Sequence, residues 1–167
     1  EPSNPWVTGV EMLYSREFLE AARDHLAPRG VFSQWFHIYE ADDRSIALVL
    51  KTFRTVFPRS SVWIGEPGDL ILLGFENEDQ SVDLAQLEER WQREDFNAQL
   101  KALPLRSFPR LLAHELLPLG VLEAMPLPGG IHTTLHPRLS YVASRAFFVG
   151  DSGEVPTSPL PRVAATG

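Results

Sequence analysis

The chain contains no cysteine. That excludes disulfides and thiolate metal ligation. It has no apolar run near the roughly 20 residues a membrane-crossing helix needs, and no charged-then-apolar leader of the signal-peptide kind. Positive charge is in short supply: 15 Lys and Arg stand against 22 Asp and Glu, a net charge of −7. A surface of that sign does not neutralise phosphates, so nucleic acid is not an expected partner. Its plain reading is solubility; the functional alternative is attraction of a cationic amine. No G-x-G run occurs, so these residues offer no glycine loop to cradle a phosphate or nucleoside.

What is present suits one folded domain. The 167 residues can bury a sizeable core, and the apolar fraction of 44% is ordinary for a globular protein. Ser15 is placed to cap a helix over 16–26, with Phe18, Leu19, Ala22 and Leu26 as its apolar stripe. Pro28 and Gly30 end it. The run V-F-S-Q-W-F-H-I, 31–38, is aromatic and β-branched and predicts a buried strand. Asp42 or Asp43 caps a second helix reaching about Phe57, with Ile46, Val49, Leu50, Phe53 and Phe57 at helical spacing. Strands over 61–64 and 70–75 flank the turn E-P-G-D and predict a hairpin.

Beyond a polar linker over 76–81, Asp83 and Gln86 form a capping box for a helix to about Arg93. Residues 95–103 read as helix, 104–109 as a break, 110–117 as a short helix, and 139–149 as a strand or short helix. The last residues, 151–167, are small and proline-rich and are expected to be disordered. By pattern alone the chain is α/β with a mixed sheet.

Several groups could carry chemistry. In E-P-S-N-P-W, residues 1–6, two prolines bracket Ser3 and Asn4 and hold the backbone extended. Asn4 then stands beside the Trp6 ring, an arrangement that can present an amide to a flat ligand. The plain alternative is that Asn4 caps a turn and Trp6 packs in the core. Glu40, Asp42 and Asp43 form an acidic group after the first strand, suited to a cationic amine or, more simply, to a helix start. His132 and His136 are four apart, but Gly129, Gly130 and Pro137 make the segment a loop. No metal site is expected there.

The order and spacing of six pieces carry a resemblance: E-P-S-N-P-W-V-T-G-V, Y-S-R-E-F-L, L-A-P-R-G-V-F-S-Q-W, T-F-R-T-V-F-P, S-V-W-I-G and G-D-L-I-L-L-G. Together residues 1–80 resemble the C-terminal half of spermidine synthase-like proteins, a branch of the class I S-adenosylmethionine-dependent methyltransferase fold. They are most similar to the bacterial branch fused to membrane-spanning segments. The resemblance implies a partial Rossmann-like sheet of about three strands in mixed orientation, its final antiparallel strand inserted, with helices on both faces. A helical and irregular extension over 81–150 and the tail over 151–167 would follow. It further implies that the chain is the rear half of a domain. The absent front half would bring the cofactor loop, and upstream segments would tether it to the cytoplasmic side of the inner membrane.

The same resemblance assigns site residues. The family motif D-x-x-D-P falls on Glu1 and Asn4. Glu1 would hold the nucleoside end of the cofactor, and Asn4 would take the place of the catalytic base. An amide accepts no proton at neutral pH, so aminopropyl transfer would be weakened or altered. Trp6, Gln34 and Tyr39 would contact the amine substrate. The segment I-H-T-T-L-H-P-R is similar to one that closes over substrate in the family, but it lacks both acids. The expected function is therefore amine transfer in the parent protein, using decarboxylated S-adenosylmethionine or S-adenosylmethionine, with neither bound by these residues alone. One alternative is an amino-methyltransferase, since N-P-W is similar to the N-P-P-Y motif of that class. Another is a non-catalytic ligand-sensing or scaffolding module on a membrane partner.

Overall fold

The computed structural model describes residues 4–5, 7–65, 68–77, 79, 81–100, 105, 107–150 and 153–155. A short 3-10 helix, Val10–Tyr14, leads into α1, Arg16–Asp24. The Ser15 hydroxyl accepts the Phe18 N–H at 3.2 Å, the capping bond that its position predicts. Strand β1, Val31–His37, follows, then α2, Asp43–Val56. Asp42 caps α2 by accepting from the Ser45 N–H at 2.8 Å. The hairpin is β2, Ser60–Ile64, with β3, Asp69–Phe75. Then come α3, Leu84–Gln92, and α4, Glu94–Leu100. Next are α5, Phe108–Leu112, and β4, Glu115–Leu117. The last elements are α6, Val121–Ala124, and α7, Arg138–Val149. Asp83 caps α3 through the Gln86 N–H at 3.1 Å.

The fold class is α/β, but its sheet differs from the expected one. It has four strands in the order β1-β3-β2-β4, and all three pairings are antiparallel. The expectation of about three strands in mixed orientation is thus corrected. The hairpin strand β3 lies between β1 and β2, so each strand meets only antiparallel neighbours. The fourth strand comes from residues read as the end of a helix: Glu115 and Leu117 pair with Trp63 and Val62 across a register shift. The region 139–149, open between strand and helix, is helical.

Alternation along the strands separates the two faces of the sheet. Phe32, Phe36, Leu70, Leu72 and Gly74 share one face, set by the pairings Phe32↔Gly74, Gln34↔Leu72 and Phe36↔Leu70. α1 and α2 cover that face. Phe32 stacks on Phe57 at 5.5 Å and 8°, and Phe18 of α1 meets Phe32 edge-on at 6.4 Å. Phe53, Phe57, Leu50 and Ile46 are buried there with Leu70 and Leu72. The other face, carrying Trp35, Trp63, Ile71 and Leu73, is only half-buried, and α3 flanks it at one side.

Residues 153–155 lie against the start of α2. The Glu154 N–H bonds Asp43 Oδ1 at 2.8 Å, and Val155 is buried. No helix among the described residues is long and apolar enough to cross a membrane.

Candidate functional site

The end of β1 and the start of α1 lie together. Gln34 Nε2 donates to the Leu13 carbonyl at 2.7 Å, and the Tyr14 hydroxyl donates to the Trp35 carbonyl at 3.1 Å. Both bonds tie the segment entering α1 to the second half of β1. The aromatic sequence W-F-H-I-Y then brings rings into register. Trp35 and His37 alternate along β1, and Tyr39 continues the two-residue spacing just past its end. His37 stacks on Tyr39 at 4.5 Å and 23° and lies 5.2 Å from Trp35. Gly68, at φ 95°, passes so close that a Cβ there would sit 3.1 Å from Tyr39 Cδ1. Only glycine combines that backbone angle with that approach. Tyr39 keeps 44% of its surface exposed while its ring is braced by His37.

His37 is fully buried. Burial lowers its pKa to about 4, against an opposing pull from the Asp69 carboxylate, its partner across the strands. The imidazole is therefore neutral near pH 7 and presents a flat, uncharged base for the Tyr39 ring. Glu40 follows at φ 55°, a left-handed conformation uncommon for a non-glycine residue. Of the acidic group beyond it, Asp42 is committed to its cap, with the Ser45 hydroxyl also bonded at 2.7 Å, and Asp43 receives Glu154.

The loop over 129–137 folds onto the start of α1 through His132, which is fully buried. The Leu139 N–H donates to His132 Nδ1 at 3.3 Å, so the proton sits on Nε2, which donates to the Glu11 carbonyl at 2.9 Å. The His132 N–H bonds Thr52 Oγ1 at 2.9 Å, and its carbonyl accepts the Arg16 N–H at 2.9 Å. With both ring nitrogens engaged by backbone, the imidazole has no lone pair for a metal. Its pKa is lowered, chiefly by burial. Glu17 fastens the same loop by accepting the Thr134 N–H at 2.9 Å, and that bond holds its carboxyl below the usual range. Between loop and helix lies a recess of about 400 Å³ lined by Arg16, Glu17, Thr133, His136 and Arg138.

The sequence-predicted residues divide three ways. Tyr39 stands at the strand end with its ring partly open. Gln34 is buried on the helix-covered face, its amide N–H₂ given to Leu13; its Oε1 has no hydrogen-bond partner among the described residues. Asn4 is half-buried ahead of the 3-10 helix, and its carbonyl accepts the Val7 N–H at 3.0 Å. Among the described residues nothing hydrogen-bonds its side-chain amide. Glu1 and Trp6 lie outside the described residues. A histidine in an aromatic strand forms no motif, so the sequence does not mark His37 as a site residue; its two-residue spacing from Trp35 and Tyr39 is the one signal it carries. Among the described residues no group of three His, Asp or Glu is arranged to hold a metal. Comparison with known proteins returns no match: no family model, no curated protein and no solved structure is found to be similar to this chain.

Proposed function

We propose that this chain forms the amine-acceptor side of a spermidine synthase-like transferase. The observation that carries this reading is the place of β3. The hairpin strand is inserted between β1 and β2, as the resemblance implies for the final strand of a methyltransferase sheet. The outer edge of β1 has no strand partner among the described residues. The chain leading into α1 lies at the end of the sheet where β1 finishes. A strand added on that edge through α1 would run parallel to β1 as a right-handed βαβ unit, the usual hand for such a crossover. It would bring its own C-terminal end beside Tyr39, where ligands of open α/β sheets bind. The glycine loop for the cofactor would belong to that further part of the sheet.

In this reading Tyr39, braced by His37, offers its ring to the amine. Asn4, in the position of a base, orients that amine rather than deprotonating it. Glu1 would contact the cofactor and Trp6 the substrate. The domain would face the cytoplasm, tethered to the inner membrane by segments outside these residues. A second reading, amino-methyl transfer, draws on one observation. The Asn4 amide has no hydrogen-bond partner among the described residues, which leaves it free to bond an amine directly.

Calorimetry on the product of the complete reading frame separates the possibilities. Binding of decarboxylated S-adenosylmethionine alone supports aminopropyl transfer. Binding of S-adenosylmethionine alone supports methyl transfer. Binding of neither rejects both and leaves a ligand-sensing or scaffolding module. The 167 residues by themselves are expected to bind neither form.

A further inference from the structure

The sheet face turned away from α1 and α2 holds a larger recess, of about 530 Å³. That size falls in the range of small-molecule sites. Its floor is Trp63, Leu73 and Phe75, and α3 supplies Leu84 and Leu87 along one wall. The lining is mostly apolar, with few polar groups. The Trp63 indole N–H is given to the Ser61 hydroxyl at 2.9 Å, which fixes the ring.

Glu115 stands in register with Trp63 across β4 and β2 and lines the same recess. Its carboxyl is half-buried and makes no hydrogen bond or ion pair with any described residue. Burial raises its pKa. A carboxylate in apolar surroundings without a counter-ion is costly, and a cation placed beside it removes that cost. The other charged residue of the wall, Arg59, stands four positions before Trp63, about 13 Å along the strand. It marks the opposite end of the recess. An apolar helix laid across this face would bury Glu115 unpaired, which disfavours it as an occupant.

We propose that this recess binds a small hydrophobic amine, its ammonium paired with Glu115 beside the Trp63 indole and its apolar body lying along Leu73 and Leu87. The ion pair and the cation–π contact act together at one end, and burial of the hydrocarbon acts along the rest. This site lies on the opposite face of the sheet from α1 and α2 and does not depend on the transferase reading.

The test is a titration of the folded chain with phenethylammonium, followed by tryptophan fluorescence and by the amide NMR signals of Leu73 and Leu87. The alcohol 2-phenylethanol and the anion 3-phenylpropionate serve as matched probes. The ammonium compound is expected to bind about tenfold or more tighter than the alcohol, and the carboxylate more weakly than either. Glu115→Gln is expected to erase the ammonium preference while leaving alcohol affinity within about twofold. Leu84→Lys sets a competing ammonium on the half-exposed wall of the recess and is expected to weaken the ammonium compound more than the alcohol, and it keeps the test open if Glu115→Gln fails to fold. Equal affinity for all three probes overturns the proposal. So does the absence of binding, or a self-association that protects the Leu73 and Leu87 amides and that the amine does not displace.

Discussion

The Tyr39 ring rests on the His37 imidazole at 4.5 Å, and the imidazole beneath it is shut off from water. In the unfolded chain His37 titrates near 6.5; in the fold, burial lowers this to about 4. The unfolded state therefore takes up a proton between these values that the folded state refuses. Stability is fully present above pH 6.5 and falls as pH drops toward 4, by about 3 kcal/mol over the window from this group alone. Urea unfolding between pH 7 and 4.5 is expected to show that loss, and His37→Phe to flatten the slope. His132, lowered in the same direction, keeps a residual slope in the variant. An unchanged slope in His37→Phe would show that the imidazole is not the titrating group.

Gly74 faces Phe57 across the sheet–helix contact. A Cβ at position 74 would lie 2.4 Å from Phe57 Cγ and 2.7 Å from Cδ1. Phe57 cannot retreat, because it stacks on Phe32 and packs 5.1 Å from Phe53. Gly74→Ala is expected to cost about 1–3 kcal/mol through overpacking. Phe57→Leu opens space at the same point. The double variant should therefore be more stable than the sum of the two single losses, as measured by denaturant midpoints.

Local signals gave the elements that position the site. Ser15, Asp42 and Asp83 each sit at a helix start and each makes its cap bond. The apolar runs on either side of E-P-G-D became the hairpin. β4 is not legible in the sequence because E-L-L favours helix by propensity, and only pairing with the β2 edge makes those residues a strand. Strand direction was equally hidden. Periodicity shows that β1 is buried but not which strand lies beside it, and β3 beside β1 is a long-range choice. The same holds for side-chain direction. Gln34 and His37 occupy one strand, yet their odd and even positions send them to opposite faces. Only the register with β3 shows which face the helices cover.

Thr52 joins two parts of the chain that are far apart in sequence. Its hydroxyl donates to the Leu48 carbonyl at 2.7 Å within α2 and accepts the His132 N–H at 2.9 Å. Both Thr52 and His132 are fully buried. Thr52→Val keeps the shape and removes the acceptor, leaving a buried N–H without a partner. The expected cost is about 1–3 kcal/mol. Hydrogen exchange at the His132 amide should accelerate more than exchange in the middle of α2. Uniform acceleration across both would mean that the loop does not depend on this bond.

Gln34 separates a packing role from a substrate role. One end of its amide is satisfied by Leu13, and the other, Oε1, is buried with no hydrogen-bond partner among the described residues. Gln34→Leu removes that buried acceptor together with the bond to Leu13. The two changes offset, so stability should shift by no more than about 1 kcal/mol in either direction. If Oε1 is instead held for an amine, the same variant leaves the melting temperature nearly unchanged but removes amine binding by the complete protein. Calorimetry of a diamine with both forms, beside a thermal melt of each, distinguishes the roles. Unaltered amine affinity in Gln34→Leu assigns the residue to packing and leaves Tyr39 and Asn4 to carry the proposed acceptor site.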